Sequence, residues 1–314
     1  MMVSVDVSAN PNFVIPSFKG HFDGNNCAVR GLNIVKTTEN AGLFDIVTGG
    51  NSISNLIVYG SVSGTTKVAG VVGYAGANIN NCVNYANITS SGGYAGGVTG
   101  WVTANSKGVI NCHNYCTITS SNAKTGGVVG NGLTTISGCN NYAKVTGTAQ
   151  TAGVIGNAGG SMDNCINFGE VNGTNTTGGV VGKLWVDASA NATASNLINY
   201  GSVKATSWLA GGVFATLDNI VVSDSNNYGS VTNTTDTTGG FAGAIYTGGK
   251  LINCNNYASV TAKTTVGGIC FENQGVLTDC DNYGVVTATD SNGTKNAICV
   301  NNKGTVDSTC QNFS

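Results

Sequence analysis

NCVNYANIT at residues 81–89 returns as NCHNYCTIT (111–119), GCNNYAKVT (138–146), NCINFGEVN (164–172), NLINYGSVK (196–204), DSNNYGSVT (224–232), NCNNYASVT (253–261) and DCDNYGVVT (279–287). A weaker copy, NLIVYGSVS (55–63), precedes them, and TCQNFS closes the chain. Between these copies runs a second series: AGLFD (41–45), AGVVG (69–73), GGVTG (96–100), GGVVG (126–130), AGVIG (152–156), GGVVG (178–182), GGVFA (211–215), GGFAG (239–243) and GGICF (267–271). Both advance by 26 to 33 residues. Two anchors that keep phase at such a period are the signature of a solenoid, in which each unit stacks on the one before it.

Each unit holds short β-branched runs about ten residues apart, separated by Gly and Asn, which suits three short strands per coil and leaves no room for helices. The fold read from this is all-β, a right-handed parallel β-helix (β-solenoid) of about ten coils of ~28 residues, its hand set by the preference of parallel crossovers. In-register strands repeat every ~4.8 Å, giving a rod on the order of 50 Å long. Residues 1–35 form an N-terminal cap and first coil and 36–314 the repeat body; both prolines fall in 3–19, which breaks the pattern and is placed as the cap. The chain stops within a repeat, which points to a longer parent protein or to end-to-end contact with another chain.

Stacking turns each position into a column. Cys82, Cys112, Cys139, Cys165, Leu197, Ser225, Cys254, Cys280 and Cys310 read as small buried groups, because Leu alternates with Cys. Val62, Ile88, Ile118, Val145, Val171, Val203, Val231, Val260 and Val286 read as a β-branched core column. Asn84, Asn114, Asn141, Asn167, Asn199, Asn227, Asn256, Asn282 and Asn312 are expected to hydrogen-bond from coil to coil. Tyr or Phe follows each of them, an aromatic stack whose functional alternative is a sugar-stacking strip.

At these residues the sequence resembles the GLUG-motif repeat family of bacterial surface and secreted proteins. The likeness covers nearly the whole chain: FDGNN (22–26) and RGLNI (30–34) match its opening turn and strand, and GLFD (42–45) and the GVVG-like copies match its namesake turn. Asn26 and Asp45 stand where the family has Gly. The resemblance implies a β-helix displayed outside the cell for attachment or spacing, with no catalytic residues to carry over.

Charge narrows the partners. Only 9% of residues are charged, the net charge is −2, and Arg30 is the single arginine, so no basic patch exists for nucleic acid. Apolar runs are far too short for a membrane span, and the N-terminus lacks the layout of a signal peptide. The eleven Cys show no CxxC, so no metal site is read and free buried thiols are favoured over disulfides. The acids are scattered; the nearest grouping is Asp279, Asp281 and Asp290 with Glu272 in the preceding turn, and His21 and His113 have no nucleophile partner. No catalytic residue and no cofactor is assigned.

One outward pattern exceeds what a core requires. The positions one and three after the Val/Ile column read Ser63/Thr65, Thr89/Ser91, Thr119/Ser121, Thr146/Thr148, Asn172/Thr174, Lys204/Thr206, Thr232/Thr234, Thr261/Lys263 and Thr287/Thr289. Strand alternation puts both columns on one flat face, ~6.7 Å apart with rungs ~4.8 Å apart. This Thr/Ser face is the candidate binding surface. The leading functional expectation is a non-enzymatic cell-surface or secreted module for adhesion or spacing, its ligand a glycan or host surface. Ice binding through the Thr-x-Thr face is the alternative, and a polysaccharide-acting β-helix enzyme the third.

Overall fold

The computed structural model describes residues 4–121, 124–187 and 192–314. Every regular element among them is a β-strand, and the strands form three parallel sheets stacked as a solenoid of about 11 turns. In one middle turn the first face is built from Val109–Ile110, His113–Asn114 and Ile118–Ser120, the second from Lys124–Gly126 and the third from Val129–Gly132. No helix among the described residues is long and apolar enough to cross a membrane.

The register is the one the columns require. Ile88 pairs with Ile118, Ile118 with Val145, Val145 with Val171 and Val171 with Val203, all buried, so similar β-branched shapes lie over one another through the rod. The Cys column is buried beside it. The backbone of the first face turns just ahead of the Cys position, where Asn81, Asn111, Gly138, Asn164, Asn196, Asp224, Asn253 and Asp279 all have φ between 50° and 63°. Only Gly, Asn and Asp enter that left-handed region cheaply, which is why the residue before the Cys position is drawn from those three in these eight turns.

The Asn column forms a continuous amide ladder. From Asn84 to Asn312 each Nδ2 donates to the Oδ1 of the next turn at 2.8–2.9 Å. Each also donates to the carbonyl two residues on, as Asn167 does to Gly169 at 2.8 Å, while the Gly169 amide donates back to Oδ1. Donors and acceptors of the ladder are thereby matched. Across the coil lies the second Gly of each GGVVG copy: a Cβ on Gly127 would stand 2.4 Å from the Asn141 amide, and one on Gly153 2.1 Å from that of Asn167. The two anchors keep phase because they touch.

Residues 5–18 lie along the first turn: Val5–Asp6 pairs with Val29–Arg30, Ile15 bridges to Phe44, and Phe18 packs on Phe22 and Phe44 with ring centroids 6.3 and 5.4 Å away. Residue 3 of the expected cap lies outside the described residues. Asp45, standing in the place of the motif glycine, is buried and receives the Lys36 ammonium.

Candidate functional site

Three surface features run the length of the rod. The first is the expected Thr/Ser face. Its inner column is on the strand and in register, Ser63 over Thr89, Thr119 and Thr146, then Thr232 over Thr261 and Thr287. The outer column lies at the strand ends. Thr65, Ser91, Ser121, Thr148, Thr174, Thr206 and Thr234 fall just past them, where the chain bends toward the second face, and Thr289 follows the last strand residue, Ala288. The residue between the two columns is small and buried, as Gly147, Gly173 and Ala205 are, while the outer residues are half-buried or exposed and their backbone still pairs from turn to turn, as the Ser91 amide does to the Gly64 carbonyl at 3.0 Å. Lys204 enters the column at mid-rod and reaches Glu170 at 2.7 Å, with Lys144 on the same carboxylate at 3.4 Å. The hydrogen bond from Lys204 holds the Glu170 carboxyl below its ordinary range.

The second feature is the aromatic column. From Tyr59 to Phe313 neighbouring rings stack with centroids 4.4–5.3 Å apart and planes within 12° of parallel. The Arg30 guanidinium lies 4.3 Å over Tyr59. Each interior ring spends both faces on its neighbours and shows solvent an edge, so the strip offers a sugar no flat face to lie on.

The third feature was not read from the sequence. The last Gly of the GGVVG copies brings the third face hard against the second: a Cβ on Gly130 would stand 2.8 Å from the Ala95 nitrogen, and one on Gly156 2.6 Å from that of Thr125. Outward side chains of the two faces therefore meet in a crease. Tyr94 meets Trp101 edge-on at 4.7 Å, the Lys67 ammonium lies 5.2 Å from the Tyr74 ring and 5.5 Å from Trp101, and Lys124 donates to Asn131 at 3.2 Å. Asn157 donates to Asn131 at 2.8 Å in the next turn, and Lys67 is also bound to Glu39.

Toward mid-rod the crease opens into two adjoining cavities, one of about 340 Å³ between Lys124, Gln150, Asn175 and Trp208, and one of about 120 Å³ between Gln150, Lys183, Trp208, Thr216 and Tyr246. Gln150 Oε1 and Thr216 Oγ1 are buried there with no hydrogen-bond partner among the described residues, which is costly unless something answers them. Trp208 forms the shared wall, 53% exposed and held at φ 39°, a region that bulky residues seldom occupy. Its carbonyl accepts from Asn233 Nδ2 at 3.2 Å and from Thr237 Oγ1 at 3.2 Å, which fixes the strained turn. A third cavity, of about 350 Å³ beside Val285, Val286 and Ser314, has no aromatic wall.

The remaining sequence candidates stay apart. Glu272 lies on the third face, bound to Gln274 and Lys303, whereas Asp281 lies on the first and accepts from the Gln311 amide. His21 is bonded to Ser52, and His113 packs against Tyr142, its pKa held below the ordinary value by burial. The eleven cysteines are free, and burial pushes the Cys112 thiol up. No group of three metal-ligating side chains occurs among the described residues. Comparison with protein families, with curated proteins and with solved structures found no match.

Proposed function

We propose that this chain is a non-catalytic binding rod, displayed outside the cell, that takes a glycan strand along the crease between its second and third faces. The observation that carries this reading is the convergence on one pair of cavities of an exposed, strained Trp208 and two buried polar atoms without partners, Gln150 Oε1 and Thr216 Oγ1. A mostly apolar, aromatic-lined depression with a few fixed polar groups is what small-ligand sites are made of. Tyr74, Tyr94 and Trp101 extend the same lining toward the N-terminal end, so a linear polymer would find contacts over several turns. The GLUG-like turns and the surface of hydroxyls and amides are in keeping with extracellular display.

A glycan array probed with the protein and with Trp208→Ala tests the reading. Binding to at least one glycan class, lost in the variant while its thermal unfolding is unchanged, is the expected result. Absence of binding, or binding indifferent to Trp208, refutes it.

The in-register Thr column favours ice binding as a second reading. The Lys144–Glu170–Lys204 cluster divides that column into stretches of four and three turns, Ser63 to Thr146 and Thr232 to Thr287, which is why it ranks below the crease.

A further inference from the structure

We propose that the mid-rod part of the crease, between Lys124 and Lys183, is a subsite for an anionic substituent of the bound glycan, a carboxylate or a sulfate. The inference rests on the glycan reading above and adds the charge of the ligand.

Lys124 stands at the first position of a second-face strand and Lys183 at the third position of a third-face strand two turns further on, with Gln150 and Asn157 in the turn between them. Lys67, in the same column as Lys124, is matched by Glu39, and farther along the crease Lys303 is matched by Glu272. Lys124 and Lys183 belong to none of the ion pairs among the described residues; Lys124 is held by the neutral Asn131 amide at 3.2 Å and lies 5.3 Å over the Tyr94 ring, neither of which carries a counter-charge. The two ammonium groups flank one cavity system, whose Tyr246 wall also feels the Asp218 and Glu272 carboxylates. Burial, and then the charge of Lys183, hold the Lys124 pKa below its ordinary value, so the site resists a second positive charge and would be relieved by a negative one.

The geometry around them is selective in a second way. The 120 Å³ cavity between Gln150, Lys183, Trp208, Thr216 and Tyr246 is a few water volumes in size, enough for a carboxylate or sulfate but too small for a whole sugar ring. The larger cavity beside it, about 340 Å³, shares Gln150 and Trp208 and has room for the ring. A ring lying on Trp208 would then direct its charged substituent toward Lys183, with the Thr216 hydroxyl free to donate to it and Gln150 Oε1 free to accept from a hydroxyl of the ring. Charge-assisted bonds of this kind are about twice as strong as neutral ones.

The test is an array carrying matched backbones in neutral, uronate-bearing and sulfated forms, probed with the full chain, the Lys124→Gln/Lys183→Gln double variant and Trp208→Ala, with folding of each checked by circular dichroism and thermal unfolding. The charged forms are expected to bind about ten- to a hundredfold more tightly than their neutral counterparts, and the double variant to lose that margin while keeping its neutral binding. The uronate and sulfate arms report which anion is preferred. Neutral and charged forms bound equally, with Trp208 still required, would overturn the anionic subsite and leave the glycan reading standing. Absence of binding to any form would overturn both.

Discussion

Replacing Asn141 by Asp changes one atom of the buried amide ladder and nothing of its shape. In the native rod Nδ2 of Asn141 donates to the Ala143 carbonyl at 2.7 Å and to Asn167 Oδ1 at 2.9 Å, while Oδ1 accepts from Asn114 Nδ2 at 2.8 Å. An aspartate keeps the accepting side and sets an oxygen against two oxygens on the donating side. Two buried hydrogen bonds lost with their acceptors left unanswered cost about 2–6 kcal/mol. Ionisation in a fully buried site adds to this: a carboxyl pKa raised by about 3 units corresponds to about 4 kcal/mol near neutral pH. A turn of ~28 residues contributes only about 1.5–4 kcal/mol at ordinary stability per residue. The turns that meet at Asn141 should therefore open locally at neutral pH.

The sign with pH follows. The folded-state pKa of the new carboxyl lies above its unfolded value of about 3.9, so the ionisation penalty is absent below about pH 4 and grows as pH rises toward the folded value, by up to about 1.4 kcal/mol per unit. Hydrogen exchange followed by mass spectrometry, with urea unfolding at pH 3 and pH 7, reads both effects. The expected result is lost protection across residues 111–172 at pH 7, partly restored at pH 3. Protection equal to the native chain at pH 7, or a destabilisation that does not depend on pH, would refute the idea that this ladder is a satisfied and desolvated network.

Gly127→Ala should destabilise by at least about 1–3 kcal/mol in urea unfolding, because its Cβ would stand 2.0 Å from the Gly153 carbonyl and 2.4 Å from the Asn141 amide. Thiol labelling of the native chain under non-denaturing conditions should modify Cys27 and Cys116 first among the three half-buried thiols, Cys310 more slowly because a hydrogen bond to Cys280 and burial raise its pKa, and reach Cys112 and Cys165 only on unfolding: burial raises the Cys112 thiol pKa, and a hydrogen bond to Cys139 together with burial raises that of Cys165. Thr146→Lys with Thr232→Lys should leave thermal unfolding within about 0.5 kcal/mol of the native chain, as surface changes do; if ice crystals were faceted by the native chain and rounded by this variant, the Thr column would replace the crease as the site.

What could be read from the sequence was the part that repeats. The Val/Ile, Cys and Asn columns face inward, where every turn meets the same neighbours, so the same residue types recur and the period exposes them. The outer Thr column keeps the alternation of buried and exposed positions, but the sequence did not show that it falls at bends just past the strand ends. The crease was missed for the opposite reason: Tyr74, Trp101, Asn131, Asn157, Lys183 and Thr216 occupy one outward column but range from aromatic ring to amide, ammonium and hydroxyl. A signal was present. Each follows the last residue of the AGVVG-type copies, and bulky or polar variation at one position of an otherwise constant frame marks an outward site free of packing constraints.

That same final position also sets how closely the third face approaches the second. It is Gly at Gly73, Gly100, Gly130, Gly156 and Gly182, five successive turns whose next residues run from Tyr74 to Lys183, and again at Gly243, whereas Asp45, Ala215 and Phe271 stand there in the other copies. The glycines let third-face strands lie against second-face backbone; a Cβ on Gly156 would meet Thr125 N at 2.6 Å and Gly130 O at 2.8 Å, atoms that cannot step aside as a side chain would. Gly156→Ala must therefore move the third face outward between Lys124 and Lys183 and widen the crease at the proposed subsite. Its distinguishing consequence is a separation of two readouts. Glycan affinity should fall at least tenfold at a temperature where circular dichroism shows the variant fully folded, whereas Gly127→Ala, which strains the amide ladder instead, should cost stability with affinity retained in the folded fraction. Equal loss of affinity in both would mean that the crease binds nothing specific to its depth.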